Sequence, residues 1–279
     1  LDKSVIRLMD EIRKDEELFK RFISPDDALG LMTEHSLMIV VDTHKPSFVI
    51  DERVVDRAEK VVVIDHHRRG EEFIKNTMLV YMEPYASSTA ELVTELLVYQ
   101  PKNEKLTMLE STALLAGIIV DTKSFTLRTG ARTFEAASYL RTNGADTILV
   151  QQMLKEDIDT YITRAKIIEN VQLYDHGIAI AKGLDDVVYS PVLVAQTADT
   201  LLSMQGVAAS FVIALRADGK VGISARSLGD LNVQVIMEEL GGGGHLTNAA
   251  CQLSVDTIEE AEHMLKAALE IETERGNEE

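Results

Sequence analysis

Apolar positions along this chain fall into short blocks whose period changes several times. Residues 2–21 place Val5, Leu8, Met9 and Ile12 at helical spacing among charges, which predicts an amphipathic helix. Leu37–Val41 is an unbroken apolar run, predicting a buried strand that ends at Asp42-Thr43. Residues 51–59 predict a helix capped by Asp51, and Val61 to Ile64 a second strand. Strand, helix and strand in about two dozen residues make a parallel βαβ unit. Chain direction then brings Asp42 and Asp65-His66 to the same edge of the sheet.

A short strand is expected over 79–82. Ser88-Thr89-Ala90-Glu91 has the capping-box spacing and opens a helix running to about residue 99. Residues 106–120 form a strongly apolar helix ending at Asp121-Thr122, followed by helices over 132–143 and 146–155. A longer charged helix over 157–173 reads as a connector. Beyond Asp175 the blocks shorten. Strands are expected over 177–181, 208–215 and 221–225, with Asp218-Gly219 turning between the last two. A helix over 232–240, a strand over 249–253 and an amphipathic helix over 257–272 with an acidic tail complete the pattern. The expected fold is α/β, with a larger domain (1–156) holding a parallel sheet flanked by helices. A connector (157–175) leads to a smaller mixed-sheet α/β domain (176–279), and the active site is expected in the cleft between the domains.

Composition narrows the function classes. A length of 279 residues suits two domains, and 46% hydrophobic residues is ordinary for a globular protein. Forty-six acidic residues against 28 basic ones give a net charge of −18, which argues against duplex nucleic acid and anionic membranes as partners. A small anionic substrate held by local cations and backbone amides stays compatible. The single cysteine, Cys251, precludes an internal disulfide, fits a reducing cytoplasmic setting and reads as a buried strand residue. No run approaches the ~20 apolar residues of a membrane span, and no signal peptide is present. A chain starting at Leu1 without methionine reads as part of a longer protein.

The candidate chemistry sits where the apolar blocks stop. Val61 to Ile64 run directly into Asp65-His66-His67, a group costly to bury unpaired. Open parallel sheets put their ligand crevices at such strand ends. Asp and His are ligand types suited to Mn²⁺ and related cations. Asp42 reads either as a turn cap or as a further ligand. Asp121 stands at the negative end of a helix dipole, a penalty that a neighbouring cation would reverse. His44 and His35 are weaker ligand candidates, each reading first as a solvated loop histidine. In Gly241-Gly242-Gly243-Gly244-His245, one glycine suffices to end the preceding helix. Gly242, Gly243 and Gly244 each carry an ordering cost of roughly 0.5–1 kcal/mol, explained if their amides cup a phosphate. His245 would donate a proton there, Asn248 would read an amide-compatible edge, and Arg226 could clamp phosphate through two bonds. Ser87 to Thr89 read as helix caps. Neither a Walker phosphate loop nor a Gly-x-Gly-x-x-Gly fingerprint occurs.

Four segments in order carry a resemblance: Val40-Val41-Asp42-Thr43, Ile64-Asp65-His66-His67, Gly117-Ile118-Ile119-Val120-Asp121-Thr122 and Gly241 to His245. Through them nearly the whole chain resembles the DHH phosphoesterases with their DHH-associated C-terminal domain. The resemblance implies two Mn²⁺ per complete site, with Asp42 bridging them and His66 and Asp121 completing one. It implies Asp65 as a partner behind those ligands and His67 as a catalytic residue facing the phosphate. Arg226, Gly242, Gly243, Gly244, His245 and Asn248 would hold the substrate. The implied reaction is hydrolysis of a small cyclic dinucleotide, cyclic-di-AMP, to linear pApA by in-line attack of metal-activated hydroxide. Two alternatives stay open: a phosphoesterase of short oligonucleotides or adenosine bisphosphate, and a non-catalytic nucleotide-binding regulatory module. The family's first motif, His-x-x-x-Asp-x-Asp, does not occur in these residues. The expectation is that it lies ahead of Leu1, and that the chain as it stands binds at most one Mn²⁺ and hydrolyses poorly. The resemblance also implies a membrane-anchored parent with this portion in the cytoplasm and out of contact with the membrane. It is compatible with a homodimer.

Overall fold

The N-terminal segment folds as two helices rather than one, α1 (Lys3–Arg13) and α2 (Glu16–Phe19). Asp15 causes the break, because its carboxylate accepts from Leu18 N (3.0 Å) and restarts the helix as an N-cap. This computed structural model describes residues 3–70, 72–99 and 105–276, so Asp2 and the last three residues of the acidic tail lie outside it. The chain forms two units, Leu1–Lys155 and Glu156–Glu279.

In the first unit a short helix α3 (Pro25–Leu31) precedes β1 (Leu37–Val41). The crossover helix α4 (Glu52–Arg57) is capped by Asp51 as expected, and β2 (Lys60–Asp65) returns parallel to β1. A third parallel strand, β3 (Thr77–Met82), gives the order β1-β2-β3. Val40, Val61, Val63 and Ile74 form the core under this sheet. β1 is an edge strand and turns Leu37, Ile39 and Val41, each at least half exposed, away from that core. Helices α5 (Thr89–Val98), α6 (Met108–Asp121), α7 (Ala131–Thr142) and α8 (Thr147–Met153) pack around Leu115, Ile118, Leu140 and Val150. α6 begins two residues later than its apolar run, where Thr107 and Glu110 form a reciprocal capping box. The box expected at Ser88 is only half made. Ser88 accepts from Glu91 N, but the Glu91 carboxylate takes the Ser87 hydroxyl (2.5 Å) instead of the cap backbone.

The second unit opens with α9 (Ile158–Glu169), which stops four residues before the expected end. Residues Gln172–Tyr174 are instead β4, antiparallel to β5 (Ile178–Lys182). A helix that no apolar period announced, α10 (Pro191–Leu202), follows, started by Ser190 and a proline at its first turn. Then come β6 (Ala209–Leu215), β7 (Val221–Ser227), α11 (Val233–Glu239), β8 (Gly243–His245), β9 (Asn248–Leu253) and α12 (Ile258–Gly276). The mixed sheet has the order β4-β5-β6-β7-β9-β8. Phe211, Ile223 and Cys251 bury one face against Ile236 of α11 and Leu265 of α12. Val212 and Ala214 bury the other against Ile167 of α9 and Val194 and Leu201 of α10. On β9, Ala249, Cys251 and Leu253 are buried while the alternate Asn248, Ala250 and Gln252 are exposed.

Candidate metal centre

Two parallel strands and one helix end together supply the acidic and imidazole groups of the first unit. Asp42 follows β1 with a φ of 66°, while its N–H still bonds Ile64 O of β2 (3.0 Å). The strand thus stays paired as the Asp42 side chain turns out into solvent, 61% exposed. His66 follows β2 and is 6% exposed. Its Nε2 lies 3.8 Å from Asp42 Oδ1 and 3.9 Å from Asp121 Oδ2 at the end of α6. These spans exceed a hydrogen bond. They match two ligands sharing one cation at about 2.0–2.2 Å each. Asp42, His66 and His67 also offer ligand atoms all within 4.8 Å of one another.

The remaining contacts explain why these rings point as they do. His66 Nδ1 faces the Ala86 carbonyl (3.4 Å), an acceptor only, so Nδ1 carries the hydrogen and Nε2 presents its lone pair to the carboxylates. Asp65 is fully buried, and its two oxygens are divided. Oδ2 takes His44 Nδ1 (2.6 Å), while Oδ1 takes His67 Nδ1 (2.7 Å) and His67 N (3.1 Å). Burial alone would raise the Asp65 carboxyl, but the hydrogen bonds from His44 and His67 outweigh it and hold it below the usual carboxylate range. His67 is thereby fixed through Nδ1 with its other ring nitrogen outward, the side chain being half exposed.

His44 overturns its reading as a solvated loop residue. It is 2% exposed, donates to Asp65, accepts Gly70 N at Nε2 (3.1 Å) and stacks on Phe73. Donation at one nitrogen and acceptance at the other define a neutral imidazole. His35, by contrast, is exposed beside Glu34. His44 was a weaker ligand candidate, but its place as the partner of Asp65 behind the candidate ligands went unread; the available signal was a third histidine two residues after Asp42.

Asp121 is the last residue of α6. Burial, followed by the charge of Asp42, raises its carboxyl against the opposing pull of His66. A carboxylate that is desolvated, next to another and at the wrong end of a helix dipole is stabilised by a cation more than by anything else on hand. Behind it the chain makes a left-handed turn through Lys123, Ser124 and Phe125 (φ 46°, 58° and 63°). Thr122 holds that turn, its hydroxyl bonding Ile118 O and Phe125 N.

In the second unit the expected anion-binding residues form a row. Arg226 pairs with Asn248, and Asn248 with His245, in register across β7, β9 and β8. Cross-strand partners share a face. Arg226 is less available than a bidentate clamp requires, since Nε bonds Asp199 (2.9 Å) and Nη1 bonds Ala225 O (2.8 Å). The glycines divide by position. Gly241 takes φ 76°, and with Gly242 N bonding Met237 O it closes α11 in a Schellman arrangement. A Cβ on Gly242 would stand 2.2 Å from Ala250 O, and one on Gly244 would stand 2.4 Å from Asn248 O. Their close approach is therefore to β9, and Gly243, Gly244 and His245 form a strand where a phosphate-cupping run was expected.

Comparison with known proteins bears on these two regions. Residues 3–118 match the DHH family, N-terminal domain, and residues 179–271 match the DHHA1 domain. The chain is 66% identical over 268 residues to the cyclic-di-AMP phosphodiesterase GdpP of Geobacillus thermodenitrificans, covering 96% of this chain and 41% of that protein. It is 59% identical over 270 residues to the cyclic-di-AMP phosphodiesterase PdeA of Listeria monocytogenes, covering 97% and 41%. The chain thus spans about two fifths of the length of these relatives. An exopolyphosphatase-related protein from Bacteroides fragilis shares the fold, with a TM-score of 0.77 at 20% identity over 94% of this chain and 79% of that one. No helix among the described residues is long and apolar enough to cross a membrane.

Proposed function

The chain belongs to the DHH family and carries its DHHA1 domain, and on that footing we propose that it is the catalytic part of a metal-dependent cyclic-di-AMP phosphodiesterase. The observation that carries this reading is the placing of Asp42 Oδ1 and Asp121 Oδ2 within 4 Å of His66 Nε2, with no hydrogen bond among them. The mixed oxygen and nitrogen donor set fits Mn²⁺. When bound, the metal would lower the pKa of water and neutralise charge developing on the phosphate. Asp42, His66 and Asp121 would hold it. Asp65 orients His67, whose outward nitrogen meets a phosphate oxygen and stabilises its charge in the transition state. Arg226, Asn248 and His245 bind the nucleotide, with His245 acting chiefly in capture. The product is pApA.

The open edge of β1 supports a further strand beside it, and the apolar face formed by Leu37, Ile39 and Val41 supports additional cover there. We place the His-x-x-x-Asp-x-Asp motif on a preceding segment of the parent chain that supplies this strand. The 279 residues by themselves then bind at most one Mn²⁺ and turn over slowly. The test is chromatographic assay of cyclic-di-AMP, pApA and a longer oligonucleotide with Mn²⁺, on this chain and on one extended upstream through that motif. Preferential conversion of cyclic-di-AMP to pApA by the extended chain supports the reading. Preference for pApA or the oligonucleotide replaces the substrate, and tight binding without product in the extended chain replaces the activity.

A further inference from the structure

The mixed sheet of the second unit is wider than the helical layer on one of its faces. α10 covers β6 and β7, with Ser210 Oγ bonding Ala198 O beneath it, whereas Ala250 and Gln252 on β9 stay exposed. The resulting step encloses a cavity of about 360 Å³, floored by Gly222, Ser224, Ala250 and Gln252 and walled by Pro191 at the first turn of α10.

Its chemistry is unlike the surface around it. In a chain with 46 acidic residues, no carboxylate among the described residues lines the cavity, and two cations, Arg216 and Lys220, do. Arg216 lies across the strand because residue 222 is glycine; a Cβ there would stand 2.9 Å from Arg216 Cδ. Its guanidinium has one facing acid, Asp218, at 3.3–3.4 Å from its nitrogens, at the outer limit of a hydrogen bond. Ser224 is 7% exposed, and its hydroxyl lines the cavity without a hydrogen-bond partner among the described residues. The N-terminal end of α10 adds the positive pole of a 12-residue helix. Gln252 adds an amide. These are the groups that receive a phosphate: a fork, a point charge, a hydroxyl donor and a helix start.

We propose that this cavity is a second, non-catalytic binding site for a small phosphorylated ligand. It is separate from the row formed by Arg226, Asn248 and His245. The pairs Gly222–Gln252 and Arg226–Asn248 stand four residues apart in the same ladder, about 13 Å along the strands. The site does not depend on the proposed activity: of the residues expected to hold the substrate only Gly242 borders it, and none of the metal-centre groups does. A ligand there bridges β7, β9 and the start of α10, and so joins the helix that carries Asp199, the partner of Arg226.

The experiment titrates inorganic pyrophosphate and adenosine 5′-diphosphate into the 279-residue chain in EDTA, so that no divalent ion recruits phosphate to the first unit. Backbone amide spectra and calorimetry are the readouts. The expected result is saturable shifts at residues 216–224, 241–242 and 250–252. Affinity should fall at least tenfold in the double variant Arg216→Gln/Lys220→Gln and several-fold in Ser224→Ala, but stay within twofold in Arg226→Gln. Gly222→Ala, which only pushes aside a flexible side chain, should weaken binding while leaving Tm in place. Tighter binding of the nucleotide than of pyrophosphate assigns a nucleoside pocket, and equal binding assigns the phosphate chain alone. Absence of shifts at these residues, or loss of binding in Arg226→Gln with none in the double variant, overturns the proposal.

Discussion

The candidate metal centre of the first unit and the Arg226 row of the second were equally conspicuous as chemistry, yet they are built in opposite ways. Around His66 the polar groups are aimed at one another and left without hydrogen bonds, at 3.8 and 3.9 Å, while the layer behind them is fully bonded. Around Arg226 the bonding is already complete in part, through Asp199 and a backbone carbonyl. A metal bound there would relieve an existing electrostatic cost, whereas an anion at Arg226 would have to compete with a contact already made. The first arrangement favours affinity, and the second favours exchange.

The most damaging test of this contrast is His66→Ala. Loss of the imidazole that stands between Asp42 and Asp121 should remove Mn²⁺ from that position and abolish turnover while circular dichroism stays native. Next comes the layer behind it. His44→Phe should keep the stack on Phe73 but leave an Asp65 oxygen unpaired, costing roughly 10–100-fold in metal affinity. Asp65 also gives a pH signature. Its folded pKa is depressed, so the stability it contributes is present above about pH 4 and is lost as pH falls through that lower folded value. Urea midpoints measured downward from pH 5 should show a shallower acid loss in Asp65→Asn than in the parent.

The row in the second unit should respond more mildly. His245→Ala should raise KM by about tenfold with kcat nearly unchanged, consistent with uniform binding. Asp199→Asn frees the Arg226 guanidinium and should lower KM two- to fivefold, in keeping with about 0.2–1 kcal/mol for a partly exposed pair. A rise instead would make Asp199 a positioning residue and erase the contrast. The smallest effect is Ser124→Gly in the left-handed turn after Asp121. It should stabilise the fold by about 0.5–1 kcal/mol, read as a small rise in Tm, without altering turnover.

Strand ends were the legible part of this chain. An apolar run that stops at an acid or imidazole marks both a boundary and a site, which is why Asp42, Asp65, His66 and Asp121 could be placed from order alone. What escaped depended on partners distant in sequence. His44 has a loop's local surroundings, and only its bond to Asp65, 21 residues away, makes it part of the site. α10 carries Val192, Val194 and two threonines, β-branched residues whose stiff side chains lower helix propensity and favour a strand. Its start signal, Ser190-Pro191, went unused. The charged helix expected over 157–173 stops early because Asn170 closes it and β5 recruits the next residues as a strand. The glycine run reads as a cradle for phosphate, whereas the close approach at Gly242 and Gly244 is to the backbone of β9, a neighbour that only the folded sheet supplies.

That run also dictates how its role is to be dissected. Gly242 and Gly244 abut the neighbouring strand so tightly that alanine at either is a folding mutation first, and any accompanying loss of ligand says nothing about recognition. Gly243 has open space where a methyl would go and an ordinary backbone conformation, so it alone reports on an incoming anion without confounding the scaffold. An alanine scan averaged over all four would mistake architecture for chemistry.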